Sequence, residues 1–288
     1  MSAEPAAPPA APPAAPPAPR AAPAPPPRPC GPAPAARPPA AGGRRRGPWV
    51  LMYHSVDTTT DDPYAVTVSP ERLERQLAWL GRRGLVGVGV GELLRAHAAG
   101  RAGRLVGLTF DDGYADFVEH ALPVLRRHAC TATVFVLPGR LGGDNAWDPL
   151  GPRKPLLDAD GIRAAAAAGM EIGSHGLHHE RLTTASEAVL RAETARSREL
   201  LTELTGRSPA GFCYPYGAVD SRAVRAVRDA GYAYACAVDP GHLTGPHAVP
   251  RVHVGARDTA WRLRAKRLLH PLRRTPLPPA APPAEDAR

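Results

Sequence analysis

Between residues 48 and 262 the polar and apolar positions fall into short blocks of alternating character. Mostly apolar runs of six or seven residues read as buried strands: "WVLMYH" (49–54), "LVGLTF" (105–110), "ATVFVLP" (132–138), "MEIGSH" (170–175), "GFCYPYG" (211–217), "YAYACAV" (232–238) and "AVPRVHV" (248–254). The stretches between them have helical spacing. In "SPERLERQLAWLGRRG" (69–84), Ser69 can cap, Pro70 suits the first turn, and Leu73, Leu77 and Leu80 share a face. Helices are also predicted in 114–129, 158–169, 185–206 (ended by Gly206) and 221–231. Strand and helix alternate with short connections, which predicts parallel strands joined by crossover helices. In such α/β folds, sites form at the C-terminal ends of strands.

Composition confines the fold to part of the chain. Residues 1–47 are almost all Ala, Pro and Arg, cannot bury a core, and are expected to be a disordered arm. Residues 263–288 are expected to be a basic, Pro-rich tail. The 48–262 segment is large enough for one globular domain.

The net charge of +9 comes from 36 Lys and Arg against 27 Asp and Glu, much of the excess in the two arms. That suits solubility or contact with an anionic surface; no aromatic interleaving marks a specific nucleic-acid platform. The four cysteines form no CxxC pair, so neither a zinc knuckle nor a redox motif is read. No apolar run is long enough to span a membrane. Prolines interrupt every alanine run near the start, so no export signal is visible. Oligomeric state is not legible.

Chemistry gathers at strand ends. "LTFDDG" sets Asp111 and Asp112 side by side after a strand, where like charges repel unless something uses them. "EIGSHGLHHERL" places His175, His178 and His179 after another strand. Such a cluster suits a borderline metal with open positions, in a hydrolase or a non-haem iron site, the second carboxylate favouring hydrolysis; a solvated loop is the plain alternative. His54 ends the first strand. In "FCYPYG", Pro215 and Gly217 force an irregular turn whose N–H groups could face an oxyanion, or merely close a loop. Arg251 and His253 alternate with Val on the last strand; they form a polar outer face, or Arg251 points inward to Asp111 or Asp239.

Together these motifs resemble the polysaccharide deacetylases of the NodB-homology type, carbohydrate esterase family four. "TFDDG" matches the family's first motif in full, and "HGLHH" is similar to its His-(Ser/Thr)-x-x-His motif, with Gly176 at the hydroxyl position. "YPYG" resembles the third motif, but Cys213-Tyr214 stand where an arginine is usual. "LMYHSV" looks like the acid-histidine motif displaced to the front, as in the biofilm poly-N-acetylglucosamine deacetylases.

The resemblance implies a distorted (β/α) barrel of about seven parallel strands. It also implies a metal-dependent hydrolase that removes N-acetyl groups from a GlcNAc-containing polysaccharide, at the cell envelope or outside it. One divalent metal, zinc by preference, would sit on Asp112, His175 and His179. Asp111 would be the base, His54 the acid and the Tyr216 N–H an oxyanion donor, with Arg251 replacing the missing arginine. Alternatives are an O-acetyl esterase on xylan or peptidoglycan and a non-catalytic carbohydrate-binding protein of the same fold.

Overall fold

A computed structural model describes residues 47–238 and 240–270. The expected arm over 1–47 lies, Gly47 aside, outside the described residues, as does Asp239. The strands in chain order are β1 (Val50–Tyr53), β2 (Ser55–Val56), β3 (Thr67–Val68), β4 (Val86–Val88), β5 (Leu105–Phe110), β6 (Thr133–Val136), β7 (Glu171–Ser174), β8 (Gly211–Cys213), β9 (Tyr234–Ala237), β10 (Val249–Pro250) and β11 (Val252–His253). The α-helices are α1 (Pro70–Gly81), α2 (Val90–Ala98), α3 (Leu122–Arg127), α4 (Ala159–Ala167), α5 (Glu187–Arg191), α6 (Ser197–Thr205), α7 (Ser221–Asp229) and α8 (Ala260–Leu269).

The main sheet runs β10-β9-β8-β7-β6-β5-β1-β11, with β4 on the first half of β5, and every pairing is parallel. β10 and β11 are separated only by Arg251. β10 pairs with β9 and β11 with β1, so one stretch of chain draws the two edges of the sheet together into a nearly closed barrel. With β10 and β11 taken as one bent strand, the barrel has eight strands rather than the seven read from the sequence. The extra one is β4, whose short "VGV" lacks a recognisable run, and the α2 that follows went unpredicted with it.

Strand alternation divides the side chains. Val50, Val88, Phe135, Cys213, Tyr234, Cys236 and Val249 cluster together, while Leu51, Tyr53, Leu108, Phe110, Val134 and Val136 join a second cluster with α1 and α3. α1 follows its pattern: Ser69 Oγ accepts the Arg72 N–H at 3.2 Å, and Leu73, Leu77 and Leu80 are buried. The 187–205 helix is continuous but contains a π turn, Ala192–Arg196, where the Ser197 N–H bonds the Ala192 carbonyl five residues back.

α8 runs across the 262/263 boundary that composition suggested. Leu263 is fully buried, and Lys266 donates to Asp258 Oδ2 and to the His253 carbonyl, both at 2.6 Å. The folded domain therefore continues to His270. The basic composition of 263–270 belongs to the exposed side of a packed helix, which a composition shift alone cannot distinguish from a tail.

Candidate active site

β5 ends at Phe110, and the backbone then turns sharply. The Asp111 N–H still bonds the Tyr53 carbonyl (3.0 Å), but Asp112 and Gly113 both take left-handed conformations, φ 71° and 70°. That reversal sends two neighbouring carboxylates to different partners. Both are buried, at 2% and 5% exposure.

Asp111 sits in the fork of Arg251. Nη1 donates to Oδ1 at 2.6 Å and Nη2 to Oδ2 at 2.7 Å. The guanidinium is itself buried and also reaches Thr109 Oγ1 (3.0 Å) and Cys213 Sγ (2.9 Å). Burial opposes the charge on Asp111, but Arg251 outweighs it and holds the carboxyl below the usual range. The inward orientation of Arg251 resolves the two readings of the last strand, with Asp111 as its carboxylate partner.

Asp112 Oδ1 lies 3.1 Å from His175 Nε2 and 3.4 Å from His179 Nε2. Both imidazoles are almost fully buried. His175 Nδ1 lies 2.9 Å from the Cys213 carbonyl, an acceptor that makes Nδ1 a donor and turns Nε2 toward Asp112. His179 is held differently, at φ 70° and with its ring between Trp147 (stacked, 4.5 Å) and Tyr216 (edge-on, 4.5 Å). His178 turns away: its side chain is exposed, its carbonyl accepts from Arg140 Nε at 2.9 Å, and it belongs to no ligand-like group among the described residues.

These three donors fit a metal ion. Ligands bound at 2.0–2.1 Å in a tetrahedron are roughly 3.3 Å apart, close to the Asp112–imidazole separations found here, and the Cys213 carbonyl orients His175 so that Nε2 faces the site. A second group, Asp111, His175 and Cys213, also brings ligand atoms within 4.8 Å of one another. It is a poor cation site: Arg251 already occupies both Asp111 oxygens and touches Sγ, and burial raises the thiol pKa, whereas a ligand must be deprotonated.

His54, just after β1, directs Nε2 to within 3.8 Å of Asp111 Oδ2. His253 on β11 is the next ring beyond it, 6.2 Å between centroids. Tyr216 lies in a turn with φ 59°, followed by Gly217 at φ 65°. Its half-exposed ring carries Arg181 above it at 4.6 Å.

The barrel thus brings His54, Asp111, Asp112, His175, His179, Tyr216 and Arg251 to one end, leaves the His178 side chain outside the group, and adds others that the sequence reading missed. Trp147 and Asp148 come from the Gly- and Asp-rich 141–151 loop, which has no periodicity to betray a ring stacked on His179. Asp148 is pushed up to about 6 by partial burial and by Asp112. Glu193, buried in the π turn, bonds the histidine loop (below).

Comparison with known proteins follows the same line. Residues 99–235 match the family model described as polysaccharide deacetylase. The chain carries a polysaccharide deacetylase domain. The deacetylase domain is 24% identical over 199 residues to the poly-β-1,6-N-acetyl-D-glucosamine N-deacetylase of Staphylococcus aureus, covering 65% of this chain and 67% of that one. Its fold superposes on IcaB from Ammonifex degensii with a TM-score of 0.64 at 26% identity, over 76% of this chain and 96% of that one. It also superposes on the Streptococcus pyogenes deacetylase PplD in complex with acetate, with a TM-score of 0.65 at 22% identity, over 76% and 97%. The deacetylase domain is accordingly a hydrolase of the polysaccharide deacetylase family with a (β/α) barrel. Among the described residues no helix is long and apolar enough to cross a membrane.

Proposed function

We propose that this deacetylase removes N-acetyl groups from a polymer containing N-acetylglucosamine, using one divalent cation on Asp112, His175 and His179. The two imidazole nitrogens favour zinc. One observation carries the reading: adjacent carboxylates have opposite partners, Asp112 facing two imidazoles and Asp111 facing Arg251. A carbohydrate-binding site has no use for that division, whereas hydrolysis needs both a ligand and a base.

When bound, the cation supplies Lewis acidity toward an acyl oxygen and lowers the pKa of water. The remaining roles belong to side chains. Asp111 takes the proton from the attacking water, ionised because Arg251 keeps it so, and fixed because both oxygens are gripped. His54 lies beside Asp111 and gives a proton to the departing nitrogen, which leaves poorly without one. The turn at Tyr216, φ 59°, offers its backbone N–H to the developing oxyanion, the next N–H, of Gly217, being taken by the Tyr214 carbonyl at 2.9 Å. Trp147 and Tyr216 flank His179 and make an apolar wall for the acetyl methyl. Such a polymer lies at the cell envelope or outside the cell, where we place the reaction.

The test is acetate release from N-acetylated and O-acetylated oligosaccharides, with metal content measured on the same protein. Release from β-1,6-linked GlcNAc oligomers by protein holding one metal per chain is the expected result. Release only from acetylated xylan or O-acetylated peptidoglycan fragments would make it an esterase. No release from any, with metal bound, would leave a binding protein.

A further inference from the structure

The loop that carries both histidines, 175–179, has no regular structure, yet His179 must sit at φ 70° with its ring against Asp112. A non-glycine residue persists there only when its surroundings enforce it. The enforcing contact comes from a distant helix. Glu193 is 1% exposed, and its carboxylate accepts backbone N–H groups from Leu177 (2.8 Å), His178 (3.0 Å) and Glu180 (3.4 Å). These three amides bracket His179 on both sides.

Two further features fit the same contact. Glu193 belongs to the π turn, Ala192–Arg196, a one-residue widening that departs from the regular α register of the helix. Gly176, at φ 94°, faces the same carboxylate: a Cβ there would lie 2.4 Å from Glu193 Oε2. A side chain at 176 would require the Glu193 carboxylate to shift from the place where the three amides hold it.

We infer that Glu193 is a positioning residue for the metal site, and that Gly176 and Glu193 act as a coupled pair fixing the backbone between the two ligand histidines. The inference rests on the reading of Asp112, His175 and His179 as metal ligands. Glu193 touches neither metal nor substrate. It acts by presetting the loop, so that the ligands need not be ordered at the moment of binding. Outer-shell partners of this kind typically change metal affinity by about 10–100-fold.

The experiment uses the full chain, stripped of metal and titrated with zinc, and with cobalt(II) as a spectroscopic probe. Wild-type protein binding one zinc per chain confirms the ligand reading; failure of wild-type binding sinks that reading and this inference together. Given wild-type binding, Glu193→Ala should weaken zinc affinity by about 10–100-fold and alter the cobalt ligand-field bands. Glu193→Gln keeps one acceptor oxygen and should fall between. Wild-type zinc affinity in a folded Glu193→Ala protein overturns the inference. Should Glu193→Ala fail to fold, Glu193→Gln decides: unchanged zinc affinity and cobalt spectrum overturn it. A cycle with Gly176→Ala tests the coupling. Strain from the positive φ is common to both backgrounds, so Gly176→Ala should cost less zinc affinity when Glu193 is already Ala. Equal costs in the two backgrounds would refute the pairing.

Discussion

Arg251 and Asp111 form a buried, two-pronged ion pair, 2.6 and 2.7 Å, between the end of β5 and the strand that closes the barrel 140 residues later. The pair holds ionised a carboxylate whose burial alone favours the protonated form. Its sign gives the first prediction. Without Arg251, desolvation dominates and the Asp111 pKa rises, so the acid limb of kcat/KM should move to higher pH in Arg251→Met. Arg251→Lys, which keeps the charge but loses the fork, should shift less. The measurement is the pH profile on an N-acetylated oligomer; a superimposable acid limb would remove Arg251 from the mechanism.

The two carboxylates should separate in metal analysis. Asp112→Asn, His175→Ala and His179→Ala should lose metal and activity together. Asp111→Asn should lose activity and keep most of its metal, and His178→Ala should stay near one metal per chain. Equal metal loss in Asp111→Asn and Asp112→Asn would make both carboxylates ligands.

The acid is the next question, since His54 and His253 both stand at the site. Of these two histidines, His54 is the one with a nitrogen within 4.0 Å of an Asp111 oxygen among the described pairs. His54→Ala should cut N-acetyl hydrolysis by roughly 10²–10⁴-fold while sparing metal binding and much of the activity on an aryl acetate, whose leaving group needs no proton. His253→Ala should lack that selectivity. The reverse pattern would transfer the role to His253.

The extent of the domain can be checked by stability. Leu263 is fully buried on α8. Leu263→Ala should destabilise by about 2–5 kcal/mol in denaturant unfolding, and a chain ending at 262 should be less stable than one ending at 270. Equal stability of the two truncations would return α8 to the tail.

The sequence by itself determined the alternation of strands and helices, because burial in a parallel sheet demands apolar runs and crossover helices demand amphipathic ones. It also marked the chemistry, since paired carboxylates and clustered histidines at strand ends have few uses. Through their resemblance to a family, the motifs "TFDDG" and "HGLHH" also suggested which carboxylate would be a ligand and which a base, the assignment that the metal analysis above tests. Only the tertiary structure decided what depends on distance across the barrel. The closing strand delivers Arg251 to Asp111, His54 meets the same carboxylate, and His178 is excluded because the loop turns it outward. Trp147 and Glu193 were invisible for the same reason. Their roles arise from contacts between segments far apart in the chain, and neither periodicity nor composition records such contacts.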